Sequence, residues 1–170
     1  FVEHSQRASI QADLVYVFID EDATRIEHLD GEIEALAAGQ PGGTLPSQIK
    51  VHTIVGPYED VFSQALDDMQ QRGHRPAETF AFIDPFGYSA ASMHLTDRLL
   101  RFERCEALIY MPLPFIARFL SRAGQDTALN SLFGTDRWRE AIALRGEQRK
   151  RFLHDLFRNQ LAAEGADRLV

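Results

Sequence analysis

An α/β fold, built on a mostly parallel sheet with helices on both faces, is what this sequence predicts. Three observations carry it. Four short apolar runs alternate with segments of helical periodicity, the pattern of strand–helix–strand units. The first run, Leu14-Val15-Tyr16-Val17-Phe18-Ile19, is continuously apolar and rich in β-branched residues, as expected of a strand buried on both faces. Three of the runs end in polar or chain-breaking residues, at Asp20, at Gly56-Pro57 and at Asp84-Pro85. In an open α/β sheet such carboxyl ends line the edge where ligands bind.

The elements follow in order. Phe1 to Ile10 is short and mixed and reads as the tail of a helix. After the strand at 14–20, Ala23, Ile26, Leu29, Ile33 and Leu36 recur at helical spacing. Gly39 to Ser47, rich in Gly and Pro, is a loop. Ile49 to Val55 is the second strand. Val61, Phe62, Ala65, Leu66 and Met69 then mark one helix face, closed by Gly73 and Pro76. Thr79 to Ile83 is the third strand, too short for a helix, and Leu95, Leu99 and Leu100 suggest a helix after it. The fourth strand, Ala107 to Met111, is stopped by Pro112 and Pro114. From Phe115 onward the pattern is helical, making 113–165 a C-terminal helical region within one domain spanning 1–170. Trp138, Leu132 and Phe133 are expected in the core, with Phe152, Leu156 and Phe157 facing it.

Bulk properties bound the function. The chain has 170 residues, enough for one domain with a real core, and its formal net charge is −7. That charge excludes a whole-surface nucleic-acid binder but leaves room for a local basic patch. One cysteine, Cys105, excludes an internal disulfide and any cysteine-rich metal site, and it fits a cytoplasmic protein. No apolar run approaches the length of a membrane span, and no signal-peptide pattern is present. The chain opens on Phe1, not Met, and closes on Arg168-Leu169-Val170, which reads as a strand beginning. Both ends are therefore expected to continue into a longer protein.

Candidate chemistry gathers at the strand ends. An acid such as Asp20, directly after a buried strand, accepts hydrogen bonds from ribose hydroxyls in nucleotide-binding α/β folds. Equally, Asp20 or Asp22 could cap the next helix. Asp84-Pro85-Phe86-Gly87 follows the third strand. The proline cannot continue the pairing, the glycine allows a tight turn, and the aromatic offers a face for a flat base. Asp, Pro and Gly also make an ordinary turn. The chain holds no G-x-G-x-x-G fingerprint, no phosphate loop and no G-x-S-x-G elbow. Its six histidines have no metal-ligand spacing. Arg137, Arg139, Arg145, Arg149, Lys150 and Arg151 form a basic cluster, readable as a solvated helix face or as a phosphate-contacting patch.

Two segments carry a family resemblance. Phe82-Ile83-Asp84-Pro85-Phe86-Gly87-Tyr88-Ser89, taken with Leu132-Phe133-Gly134-Thr135-Asp136-Arg137-Trp138-Arg139, resembles the three-Cys-motif partner protein family. That family looks like class I S-adenosylmethionine-dependent methyltransferases, whose fold is Rossmann-like. The resemblance implies that Asp20 binds the cofactor's ribose, with Gly56 and Tyr58 after the next strand also on the cofactor. It implies that Asp84, Pro85, Phe86 and Gly87 form the catalytic motif of amino-methyltransferases. Phe86 and Tyr88 would then contact the substrate, an exocyclic amine of a nucleic-acid base. The family's glycine-rich first motif is not in this chain, and Gly56-Pro57-Tyr58 stands where an acid is usual. The alternative is a non-catalytic partner protein that binds a three-Cys-motif protein.

Overall fold

The computed structural model describes residues 12–84 and 92–163. Its α/β character agrees with the expectation. β1 (Leu14–Asp20) pairs in parallel with β2 (Ile49–Val55), in register from Leu14 opposite Ile49 to Asp20 opposite Val55. β3 (Thr79–Ile83) pairs in parallel with β4 (Cys105–Ile109), from Thr79 opposite Cys105 to Ile83 opposite Ile109. Among the described residues these form two separate two-stranded sheets. The chain divides into two compact units between Val61 and Phe62.

The first unit holds β1, β2 and the helix α1 (Ala23–Ala38), which packs on both strands. Ile26 of α1 and Ile49 of β2 are buried. Burial of β1 on both faces, expected from its unbroken apolar run, does not occur. Val15 and Val17 are 57% and 54% exposed. Successive strand side chains point to opposite faces, and within this unit α1 covers only one of them. The unbroken apolar run reported composition faithfully, but it could not report which element covers each face.

The helix α2 (Tyr58–Gln71) crosses the boundary between the units. In the second unit, Arg98 of α3 (Met93–Leu100) ties that helix to the later turns of α2 through Asp67 (2.6 Å) and Ser63 (3.2 Å). α3 packs on β4 and buries Met93, Leu95 and Leu99. The opposite face of the β3–β4 pair leaves Phe80, Phe82, Leu108 and Tyr110 exposed. The fourth strand ends at Ile109, short of the expected Met111, because the chain is already turning: the Leu113 amide donates to the Met111 carbonyl at 2.7 Å.

Four helical segments complete this unit: α4 (Leu113–Phe119), α5 (Asp126–Phe133), the 3-10 helix Arg137–Ala143, and α6 (Gly146–Ala163). α4 begins at Leu113, where the expected helical region 113–165 starts, because a proline is tolerated in a first turn where no amide partner is needed. Trp138, Phe133, Leu132 and Leu156 are buried in the core of this unit, as expected, together with Leu129 and Leu153; Phe152 and Phe157 are half-buried, and Phe157 meets Phe133 edge-on. The Trp138 indole donates to Asn130 Oδ1 at 2.8 Å, so the buried ring leaves no polar atom unmatched. Gly134 ends α5 with φ +64, and a Cβ there would lie 3.0 Å from Met93 Cγ. Both the left-handed turn and the close approach require glycine.

Arg149 closes the assembly. Its Nε donates to the carbonyls of Ala141 (3.0 Å) and Leu144 (2.8 Å), its Nη1 to Ala117 (2.9 Å) and its Nη2 to Ile142 (3.0 Å). Carbonyls at helix ends have no partner within their own helix. One planar guanidinium thus satisfies the ends of the 3-10 helix and of α4 at once. Trp138→Ala is expected to destabilise the fold by roughly 3–5 kcal/mol. Arg149→Met should cost at least about 1.5–3 kcal/mol, because it leaves the Ala117, Ile142 and Leu144 carbonyls without their guanidinium donor. Equilibrium denaturant unfolding measures both; melting unchanged in either variant would contradict this packing.

Candidate functional site

The carboxyl end of β1 is the best-defined polar feature of the first unit. Two acids there divide the work that sequence left open. Asp22 is the helix cap: its backbone is extended and its Oδ1 accepts from the Thr24 amide at 2.9 Å. Asp20 is therefore not the cap. Its Oδ1 accepts from the Asp22 amide at 2.8 Å, a two-residue turn characteristic of aspartate. The Arg25 guanidinium reaches the same carboxylate, with Nη1 at 3.2 Å from Oδ2 and 3.4 Å from Oδ1. The Asp22 amide, chiefly, lowers the Asp20 carboxyl from its usual value; burial opposes this, and Arg25 adds a smaller lowering effect. An open cavity of about 150 Å³ adjoins it, lined by Phe18, Ile19, Asp20, Arg25, Ile26 and Leu29.

The end of β2 fixes that turn from the other side. The Gly56 amide donates to the Asp20 carbonyl at 2.9 Å. A Cβ on Gly56 would lie 3.0 Å from Val61 Cγ2, so the glycine lets the chain pass close to α2. Gly56 thus holds Asp20 in place through its backbone. Tyr58 is the first residue of α2, and its phenol is pushed up to about 12, mainly by burial and further by Glu59. It is a neutral, largely buried ring at any physiological pH. Sequence reasoning passed over its neighbour. Glu59 Oε1 is buried with no hydrogen-bond partner among the described residues, and burial together with Asp60 pushes that carboxyl up. The only signal in the sequence was a pair of acids in a helical first turn, which ordinarily marks a favourable helix start and nothing more.

In the second unit, Asp84 follows directly on β3 and is exposed. The preceding residue is firmly placed, since Ile83 is buried and its carbonyl accepts from the Tyr110 amide at 2.9 Å. Pro85, Phe86, Gly87 and Tyr88 lie outside the described residues. Asp20 and Asp84 are each positioned by their own strand pair.

The second resembling segment turns out to be structural throughout. Leu132 and Phe133 are core, Gly134 is the helix stop and Trp138 is buried. Arg137 pairs with Glu140 at 2.8 Å. Arg139 lies 4.6 Å over the Trp138 ring and within reach of Asp126 and Asp136. The basic cluster dissolves in the same way. Arg149 is spent on four carbonyls, and Lys150 pairs with Glu147 at 2.6 Å. Arg145 and Arg151 are exposed. This favours the solvated-face reading over a phosphate patch. Among the described residues there is no cluster of side chains able to hold a metal, and no helix long and apolar enough to cross a membrane. No protein-family model, no curated protein and no solved structure matches this chain.

The lowered Asp20 carboxyl has a pH consequence. A carboxyl whose folded value lies below its unfolded value of about 3.9 contributes stability that is present above that value. That contribution is lost as pH falls through the folded value. The stability gap between wild type and Asp20→Asn should therefore be constant from pH 7 to 5 and shrink below about pH 4. Denaturant unfolding across pH 2.5–7 tests this; a gap independent of pH would show that the carboxylate charge makes no difference to the turn.

Proposed function

We propose that this chain is the central part of a Rossmann-like methyltransferase domain, transferring a methyl group from S-adenosylmethionine to an exocyclic amine of a nucleic-acid base. The observation that carries the reading is Asp20. It sits at the carboxyl end of a parallel strand, freed from capping duty by Asp22 and facing an open cavity. In α/β folds that is the place of a ribose-binding acid. A carboxylate offers about four acceptor positions; among the described residues the Asp22 amide takes one on Oδ1 and Arg25 reaches both oxygens. With the guanidinium displaced, both oxygens can accept from a vicinal diol. The apolar side chains of Ile26 and Leu29 line the same cavity and suit the flat face of a nucleoside.

Bound cofactor supplies an electrophilic methyl on a sulfonium. The chain's own contribution is to hold the amine. Asp84, fixed by the end of β3, has a carboxylate and a carbonyl that accept N–H bonds, and the following Pro85 brings no backbone donor of its own. Held by its hydrogens, the amine nitrogen presents its lone pair along one line. That is catalysis by orientation and electrostatics.

A second reading, a non-catalytic protein-binding partner, is favoured by one observation: the exposed apolar face of Phe80, Phe82, Leu108 and Tyr110. The two readings separate in one experiment, transfer of labelled methyl from S-adenosylmethionine to total RNA and DNA. Wild type should label nucleic acid, and Asp84→Ala should abolish labelling while leaving cofactor affinity nearly unchanged. Asp20→Ala should weaken cofactor binding by about 1.5–3 kcal/mol in calorimetry. Equal labelling by wild type and Asp84→Ala would remove Asp84 from the mechanism. Tight cofactor binding with no labelling would favour the partner protein.

A further inference from the structure

We propose that Arg25 is a latch on the ribose site, competing with the nucleoside diol for Asp20; this rests on the assignment of Asp20 to the ribose. The geometry points to competition and not to support. Of the two partners of the Asp20 carboxylate, the Asp22 amide belongs to the backbone turn and stays in place on binding. Arg25 is the one that can leave. Its Nη1 lies between the two carboxylate oxygens, 3.2 Å from Oδ2 and 3.4 Å from Oδ1, and a diol that donates to both needs the same space. The side chain of Arg25 is 50% exposed and that of Asp20 24% exposed, so the guanidinium is the more solvent-accessible partner of the pair.

The position of Arg25 is unusual for helix stability alone. It is the third residue of α1, in the first turn, where the partial positive charge of the helix end disfavours a cation. Two carboxylates compensate, since Arg25 Nε also lies 3.5 Å from Asp22 Oδ2. Arg25 can therefore swing off Asp20 without losing its anionic neighbourhood, because Asp22 remains beside it. A partly exposed ion pair of this kind is weak. The latch is then a mild one, closed for part of the time. Apparent affinity for a diol is proportional to the fraction of molecules in which the latch is open.

Adenosine is a suitable probe, being uncharged and carrying the diol, and 2′-deoxyadenosine is its control. Arg25→Ala should bind adenosine about two- to fivefold more tightly than wild type. It should show no comparable gain for 2′-deoxyadenosine, which cannot engage both oxygens. Salt screens exposed charges, so 0.5 M sodium chloride should tighten adenosine binding to wild type and leave Arg25→Ala unchanged. Ligand-observed NMR titration gives all these affinities, and alanine suits a helical first turn, so the variant should fold. Equal or weaker adenosine binding by Arg25→Ala overturns the latch while leaving the ribose site standing. Binding by neither protein overturns the ribose assignment and the latch with it.

Discussion

The hydrogen bond from the Gly56 amide to the Asp20 carbonyl is what the first unit's polar site depends on. It extends the β1–β2 ladder one step past Val55, and so fixes the last residue of β1 as firmly as the strand before it. With the backbone of Asp20 held there, its side chain can only meet the start of α1. The Asp22 amide takes Oδ1, and Asp22 in turn caps the helix. Strand pairing, turn and helix start are thus one continuous set of bonds. A carboxylate placed this way costs little to reorganise when a ligand arrives, because its orientation is settled by the backbone.

The second unit rests on a different device. Two of its helical segments, α4 and the 3-10 helix, are only seven residues long, and short helices have a high proportion of terminal carbonyls without an intrahelical partner. Arg149 collects four of them, and Trp138 fills the space beneath with its one polar atom matched by Asn130. Charge that looked available for a ligand is consumed in holding the helices together. The candidate chemistry of the site, on this account, lies at the strand ends, and the C-terminal helices serve to hold β4 through α3.

Much of this was legible in the sequence, for identifiable reasons. The strands at 14–20, 49–55 and 79–83 were legible because each is a β-branched or aromatic run bounded by Gly, Pro or Asp, and those residues stop strands through local chemistry. Trp138, Leu132 and Phe133 were legible as core because large apolar side chains at helical spacing have few other places to go. Burial of β1 on both faces was not legible. Val15 and Val17 read as interior by composition, but which faces are covered depends on tertiary packing. The fate of Arg149 was equally hidden, since an arginine in a basic run looks the same whether it meets water or four carbonyls. Asp20 lies between these cases. Its place at a strand end could be read directly, whereas the split of duties with Asp22 depended on backbone angles that sequence does not display.

The central claim is that the carboxyl end of β1 is a nucleoside site. Backbone amide NMR tests it most directly. On titration with S-adenosylmethionine, the largest shifts should fall on the amides of Asp22, Thr24 and Gly56, which are hydrogen-bonded to Asp22 or Asp20, with Ile26 and Leu29 following. Saturating shifts that avoid 18–29 and 56, or none at millimolar cofactor, would contradict the account.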